Sequence, residues 1–121
     1  MGAGGESYGG RMTDPSTDPA GPSQSVVLVV EFTARPDTVD ELRERLLELT
    51  RLTRSEDGCL RYDLHTDAHD PLRLVFVEEW ASREAHAAHD RTPWVEDFRA
   101  ARARLVVDGG VRRLDLLRLE P

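Results

Sequence analysis

The sequence predicts an α+β fold: one antiparallel sheet whose helices all lie on a single face. Three observations carry this. An apolar, β-branched run stands at 26–33, where a domain would open. Two segments with a two-residue period, 59–66 and 72–80, flank a turn-rich stretch, the pattern of a hairpin. Two segments with helical spacing of apolar residues follow Pro36 and Pro93.

The elements follow in chain order. VVLVVEFT at 26–33 is apolar on both faces, which suggests a strand covered on both sides. Pro36 and Asp37 open a helix in which Val39, Leu42, Leu46, Leu49, Thr50 and Thr53 form one stripe. Gly58 is the stop after it. In CLRYDLHT at 59–66, Leu60, Tyr62 and Leu64 share one face, and Arg61, Asp63 and His65 the other. Asp67 to Pro71 is the turn. In LRLVFVEEW at 72–80, Leu72, Leu74, Phe76, Glu78 and Trp80 point one way.

Ser82 caps a short helix over 83–91, whose inward stripe is Ala85, Ala88, His89 and Thr92. Thr92 and Pro93 start another helix, with Trp94, Phe98, Ala101 and Leu105 inward. Asp108-Gly109-Gly110 reads as a turn, and 111–119 as the final strand. The order β-α-β-β-α-α-β is a ferredoxin-like layout. Val75 and Val77 point away from the helices, so the second sheet face is also apolar. Two such sheets facing each other would cover it, which predicts a twofold homodimer.

Composition narrows the functions. The chain has 121 residues, enough for one domain, and a formal net charge of −7. Such an acidic chain argues against nucleic acid and anionic membranes as partners. All 16 basic residues are Arg, which removes Schiff-base and P-loop lysine chemistry. No apolar run is long enough to span a membrane and no secretory signal is visible. Cys59 is the only cysteine, so an intramolecular disulfide is impossible and a reducing, cytoplasmic setting is expected. Residues 1–25 are rich in Gly, Pro, Ser, Thr and Asp and read as a disordered tail, with the domain at 26–121. Either Met1 or Met12 can be the start.

The stretch from Gly58 to Trp94 resembles the antibiotic biosynthesis monooxygenase domain, including its quinol monooxygenase branch. The matching features are Gly58-Cys59-Leu60-x-Tyr62-Asp63, Asp70-Pro71, Glu78-x-Trp80, Ser82-x-Glu84-Ala85, and His89 nine residues after Trp80. The resemblance implies a dimeric α+β barrel. It further implies oxygenation of a hydroquinone, anthrone or related phenol by molecular oxygen, with no metal, flavin or haem cofactor. A deprotonated substrate of this kind is electron-rich enough to pass an electron to oxygen. The protein then has to bind a flat aromatic, move one proton and stabilise an anion in a dry pocket.

The expected site lies between sheet and helices. His89, Tyr62 and Glu78 are the catalytic candidates, and Trp80, Phe76 and Trp94 the substrate-binding ones. His89, on an inward stripe, is a general base or a satisfied core histidine. Tyr62 is a donor to a phenolate or a buried tyrosine with its hydroxyl at a rim. Glu78, between Phe76 and Trp80 on an apolar face, needs a partner or a raised pKa: it is a structural residue bonded to a helix end or an Arg, or the partner that sets the tautomer of His89. Trp80 is a pocket wall with a free indole N–H, or a core residue. His86 and His89 have a spacing that suits a metal, but no third ligand accompanies them. The chain contains no Asn, so it departs from the Asn-Trp-His arrangement that the haem-degrading branch resembles. Two other functions stay open. One is an isomerase of a small phosphorylated signalling molecule, against which the inward stripes offer no Arg for phosphate. The other is a non-catalytic ligand-binding or stress-response dimer.

Overall fold

A computed structural model describes residues 25–117. The predicted tail at 1–24 and the end of the predicted last strand at 118–119 lie outside the described residues. The elements are β1 (Val26–Ala34), α1 (Val39–Thr53), β2 (Cys59–Asp67), β3 (Asp70–Trp80), α2 (Arg83–His89), α3 (Pro93–Leu105) and β4 (Val106–Leu114). The four strands form one antiparallel sheet in the order β2-β3-β1-β4. This is the ferredoxin-like α+β fold, with β1 and β3 central.

The buried core lies between the sheet and the helices. Leu42 and Leu46 of α1, Leu74, Phe76 and Trp80 of β3, and Leu105 of α3 are almost wholly enclosed. The period of two in β3 places Leu74, Phe76, Glu78 and Trp80 on this face. Phe32 meets the rings of Phe76 and Phe98 edge-on, at 6.2 and 5.5 Å between centroids. Both short-range caps form as the residue types dictate. The Ser82 hydroxyl accepts the Ala85 N–H at 3.0 Å, and the Thr92 hydroxyl accepts that of Val95 at 3.3 Å. Thr38 instead donates its hydroxyl to the Leu105 carbonyl at 3.0 Å, tying the start of α1 to the end of α3.

Three expectations are corrected. Leu60 is exposed, because a register shift between Cys59 and Arg61 inserts it as an extra residue opposite β3. Cys59 packs against the core in its place. Ala88 is exposed, so α2 turns Ala85 and His89 inward without it. The last strand starts at Val106, not at 111, and runs straight through Gly109 and Gly110. Pairing with β1 from Ala34 to Val27 supplies the hydrogen bonds that hold the glycines extended.

The far face of the sheet carries Val27, Val29, Val75 and Val77, all half-buried. At its centre Glu31 accepts hydrogen bonds from both Arg73 of β3 and Arg112 of β4. One carboxylate so links three adjacent strands.

Candidate active site

A partly open cavity of about 1200 Å³ lies between the helical face of the sheet and α2 and α3. Leu28 and Phe32 of β1, Phe76 of β3, and Val95 and Phe98 of α3 supply apolar walls. Tyr62, Glu78, His86 and His89 bring the polar groups. Tyr62 and Glu78 are register partners on β2 and β3, so their side chains rise together from the sheet. His89 descends from the last turn of α2 and is buried.

The structure therefore brings four of the six sequence candidates, Tyr62, Phe76, Glu78 and His89, to one cavity wall. The two tryptophans do not line it. Trp80 is fully buried beneath the site, its ring 4.7 Å from that of His89. Its indole N–H is not free, because it donates to Glu78 Oε1 at 2.9 Å. Trp94 is half-buried outside the cavity and donates its indole N–H to Glu56 Oε2 at 2.7 Å.

The expected pairing of Glu78 with His89 is also corrected. His89 Nδ1 lies 2.9 Å from Glu56 Oε2, in a pocket where both side chains are at least nine-tenths buried. An indole can only donate, so the oxygen shared with Trp94 is an acceptor. The arrangement that satisfies all three groups has Nδ1 donating to Glu56, which leaves Nε2 as the basic atom of a neutral ring. Glu56 went unrecognised because it sits in the connection after α1, where no periodicity assigns it a face. Its neighbour Gly58 is the only signal nearby. The φ of +83° at Gly58 folds the connection back, and a Cβ there would meet that of Ala85 at 2.5 Å. That close approach lets α2 sit directly over the Glu56 loop.

Burial controls the other titrations. It pushes the Glu78 carboxyl up to about 7, with the indole bond from Trp80 working against the shift and the charges of Asp90 and Glu56 adding to it. Burial, then the charge of Glu78, pushes the Tyr62 hydroxyl above its ordinary value, so it stays a neutral donor. The Thr53 hydroxyl lies close enough to temper that rise, yet it is buried outside hydrogen-bond geometry. His86 is shifted down by burial, against the pull of Asp90, and its ring stacks on His89 at 6.2 Å. Burial also raises the Cys59 thiol, opposite to what a nucleophile needs. Among the described residues no three His, Cys, Asp or Glu side chains converge to hold a metal.

One expectation about charge is overturned. Arg83, Arg91, Arg99, Arg102 and Arg113 all contribute to the cavity lining. Arg102 falls on the stripe that Val95, Phe98 and Leu105 actually bury, and Arg113 shares the cavity face of β4 with Val111. Arg83, Arg91 and Arg99 reach the rim from the flanks on long side chains.

A profile of the antibiotic biosynthesis monooxygenases matches residues 25–104. The chain belongs to this family. Among its relatives is the Mycobacterium tuberculosis protein named "Putative monooxygenase Rv0793", 39% identical over 75 residues, which are 62% of this chain and 73% of that one. The solved structure of Rv0793 covers 81% of this chain and 100% of its own, with a TM-score of 0.74 at 33% identity. That of PA3566 from Pseudomonas aeruginosa covers 80% and 98%, with a TM-score of 0.76 at 30% identity. The family match spans every element that builds the cavity except β4 and the last residue of α3.

Proposed function

We propose that this family member is a cofactor-independent monooxygenase that oxidises a hydroquinone, anthrone or related phenol with molecular oxygen. The observation that carries the reading is His89, oriented by Glu56 behind it, at the wall of a cavity that Phe32, Phe76 and Phe98 line with aromatic rings. A flat substrate lies against Phe76 and Phe32. His89 Nε2 takes the phenolic or benzylic proton, and Glu56 stabilises the imidazolium that forms. Tyr62, held neutral, donates to the resulting anion. The substrate anion passes an electron to oxygen, and the two radicals combine into a peroxide. Loss of water leaves the carbonyl: an anthrone methylene and O₂ give a quinone carbonyl and H₂O, with one oxygen atom in each product. Glu78, its carboxyl raised to about 7 by burial, supplies the proton that departs with water.

The reading includes a homodimer closed over the valine-bearing sheet face, and a cytoplasmic setting that suits the free Cys59 thiol. A second reading, an isomerase of a small phosphorylated molecule, is favoured by the arginines at the cavity rim. The aromatic walls favour the oxygenase.

The test is oxygen uptake with menadiol or an anthrone in metal-free buffer. We expect turnover above the autoxidation rate, reduced by about 10²-fold or more in His89→Ala, the scale of a lost general base. Uptake equal to autoxidation, or unaffected by that substitution, would reject the oxygenase assignment.

A further inference from the structure

We propose that the cavity takes a flat aromatic bearing an anionic substituent, a carboxylate or phosphate ester, received by the guanidinium group of Arg102. This rests on reading the cavity as the substrate site and deepens that reading. The chain carries a net charge of −7, yet its cavity is lined by five arginines against the two carboxyl groups of Glu78 and Asp90. Glu78 is bonded to Trp80. Asp90 faces Arg99 at 3.6 Å and His86 at 4.0 Å. A positive cavity on an acidic surface concentrates anions locally while the rest of the molecule repels them.

The arginines differ in what they already hold. Arg99 donates to the Asp90 carbonyl at 2.9 Å and to Glu96 at 3.2 Å. Arg113 lies 4.0 Å from Asp115. Among the described residues neither Arg91 nor Arg102 has a carboxylate partner. Arg102 is nonetheless held in place. Its guanidinium carbon sits 5.8 Å from the centroid of the Phe32 ring, which is itself a cavity wall. It also crosses β4 at Gly109, where a Cβ would come within 2.7 Å of Arg102 Nη2. Gly109 thus clears a path for this side chain and for the close Glu31 carbonyl of β1 alike, the latter also 2.7 Å from such a Cβ. An aromatic ring lying along Phe32 meets the cationic fork at its edge, and a planar fork matches carboxylate and phosphate oxygens two at a time.

Calorimetry with the full chain tests this using 2-naphthoate, 2-naphthyl phosphate and methyl 2-naphthoate, which share a ring and differ in charge. We expect at least one of the two anions to bind about tenfold or more tightly than the ester, the scale of a charge-assisted hydrogen bond. The tighter anion identifies the substituent class, and its advantage shrinks at high salt. Arg102→Gln should abolish the preference, weakening the anions far more than the ester. Equal affinity for all three probes, equal weakening of all three in Arg102→Gln, or no anion binding at millimolar concentration would overturn the proposal. Oxygen uptake reads the other question. Anion preference without uptake rejects the oxygenase alone, and uptake without anion preference rejects this inference alone.

Discussion

Glu56 is where the site and the stability of the fold meet. Its Oε2 serves both His89 Nδ1 at 2.9 Å and Trp94 Nε1 at 2.7 Å. Glu56→Ala strands both partners at once. Each orphaned buried donor costs about 1–3 kcal/mol. Trp94 is half-buried and gains water, so the low end applies to it, and the sum is about 2–4 kcal/mol. For a domain of this size that lowers Tm by roughly 10–25 °C. Glu48, on the exposed side of α1 and paired with Arg51, is the control, and its removal should cost no more than about 0.5 kcal/mol. Urea unfolding followed by tryptophan fluorescence measures both. A double-mutant cycle with His89→Ala should return a coupling of about 1 kcal/mol or more, because the two side chains share one bond. A Glu56→Ala variant as stable as Glu48→Ala, or a coupling near zero, would show that the pair is not formed and would remove the orienting partner of the general base.

Three further outcomes follow from the same geometry. The Glu78 carboxyl, raised from 4.5 to about 7 by burial, holds its proton longer in the folded state than in the unfolded one. Its stabilising contribution is therefore complete below pH 4.5 and is lost as pH rises to about 7, roughly 3 kcal/mol in all, and Glu78→Gln should flatten that part of the Tm-versus-pH curve. An unchanged slope would refute the shift. Gly58→Ala combines a positive φ with a clash against Ala85 and should cost about 1–3 kcal/mol by thermal denaturation. A neutral result would mean that α2 does not rest on that loop. Sedimentation equilibrium at micromolar concentration should give a dimer, and a stable folded monomer would leave the valine face without its proposed cover.

The elements were legible where local physics decides them. The helical stripe of α1 reads directly from Leu42, Leu46 and Leu49, and the caps Ser82 and Thr92 mark their helices because short polar side chains satisfy the first free N–H groups. The register of β3 put Phe76 and Glu78 on the cavity side, and its partner Tyr62 followed. What stayed hidden depends on long-range contact. Glu56 meets His89 across 33 residues, from a loop without periodicity. Gly109 and Gly110 have turn composition, and only the neighbouring strand β1 makes them extended. Leu60 alternates correctly on paper, but one inserted residue flips it to solvent. Arg102 was missed because the inward stripe of α3 was drawn through Trp94 and Ala101, whereas the structure buries Val95, Phe98 and Leu105, a stripe that includes it.

The sheet order β2-β3-β1-β4 has a consequence for how the chain assembles. β2 and β3 can zip locally, since little more than a turn separates them. β1 is made first of the four strands, yet its two neighbours are the third and fourth by position, and its pairing with β4 joins Val27 to Leu114. Until residue 114 has emerged, one edge of β1 lacks a partner. Non-local pairing of this kind slows folding because a large loop must close before any ladder bond forms. During that interval VVLVVEFT is an unpaired, β-branched strand, the segment of this protein most prone to join another nascent chain.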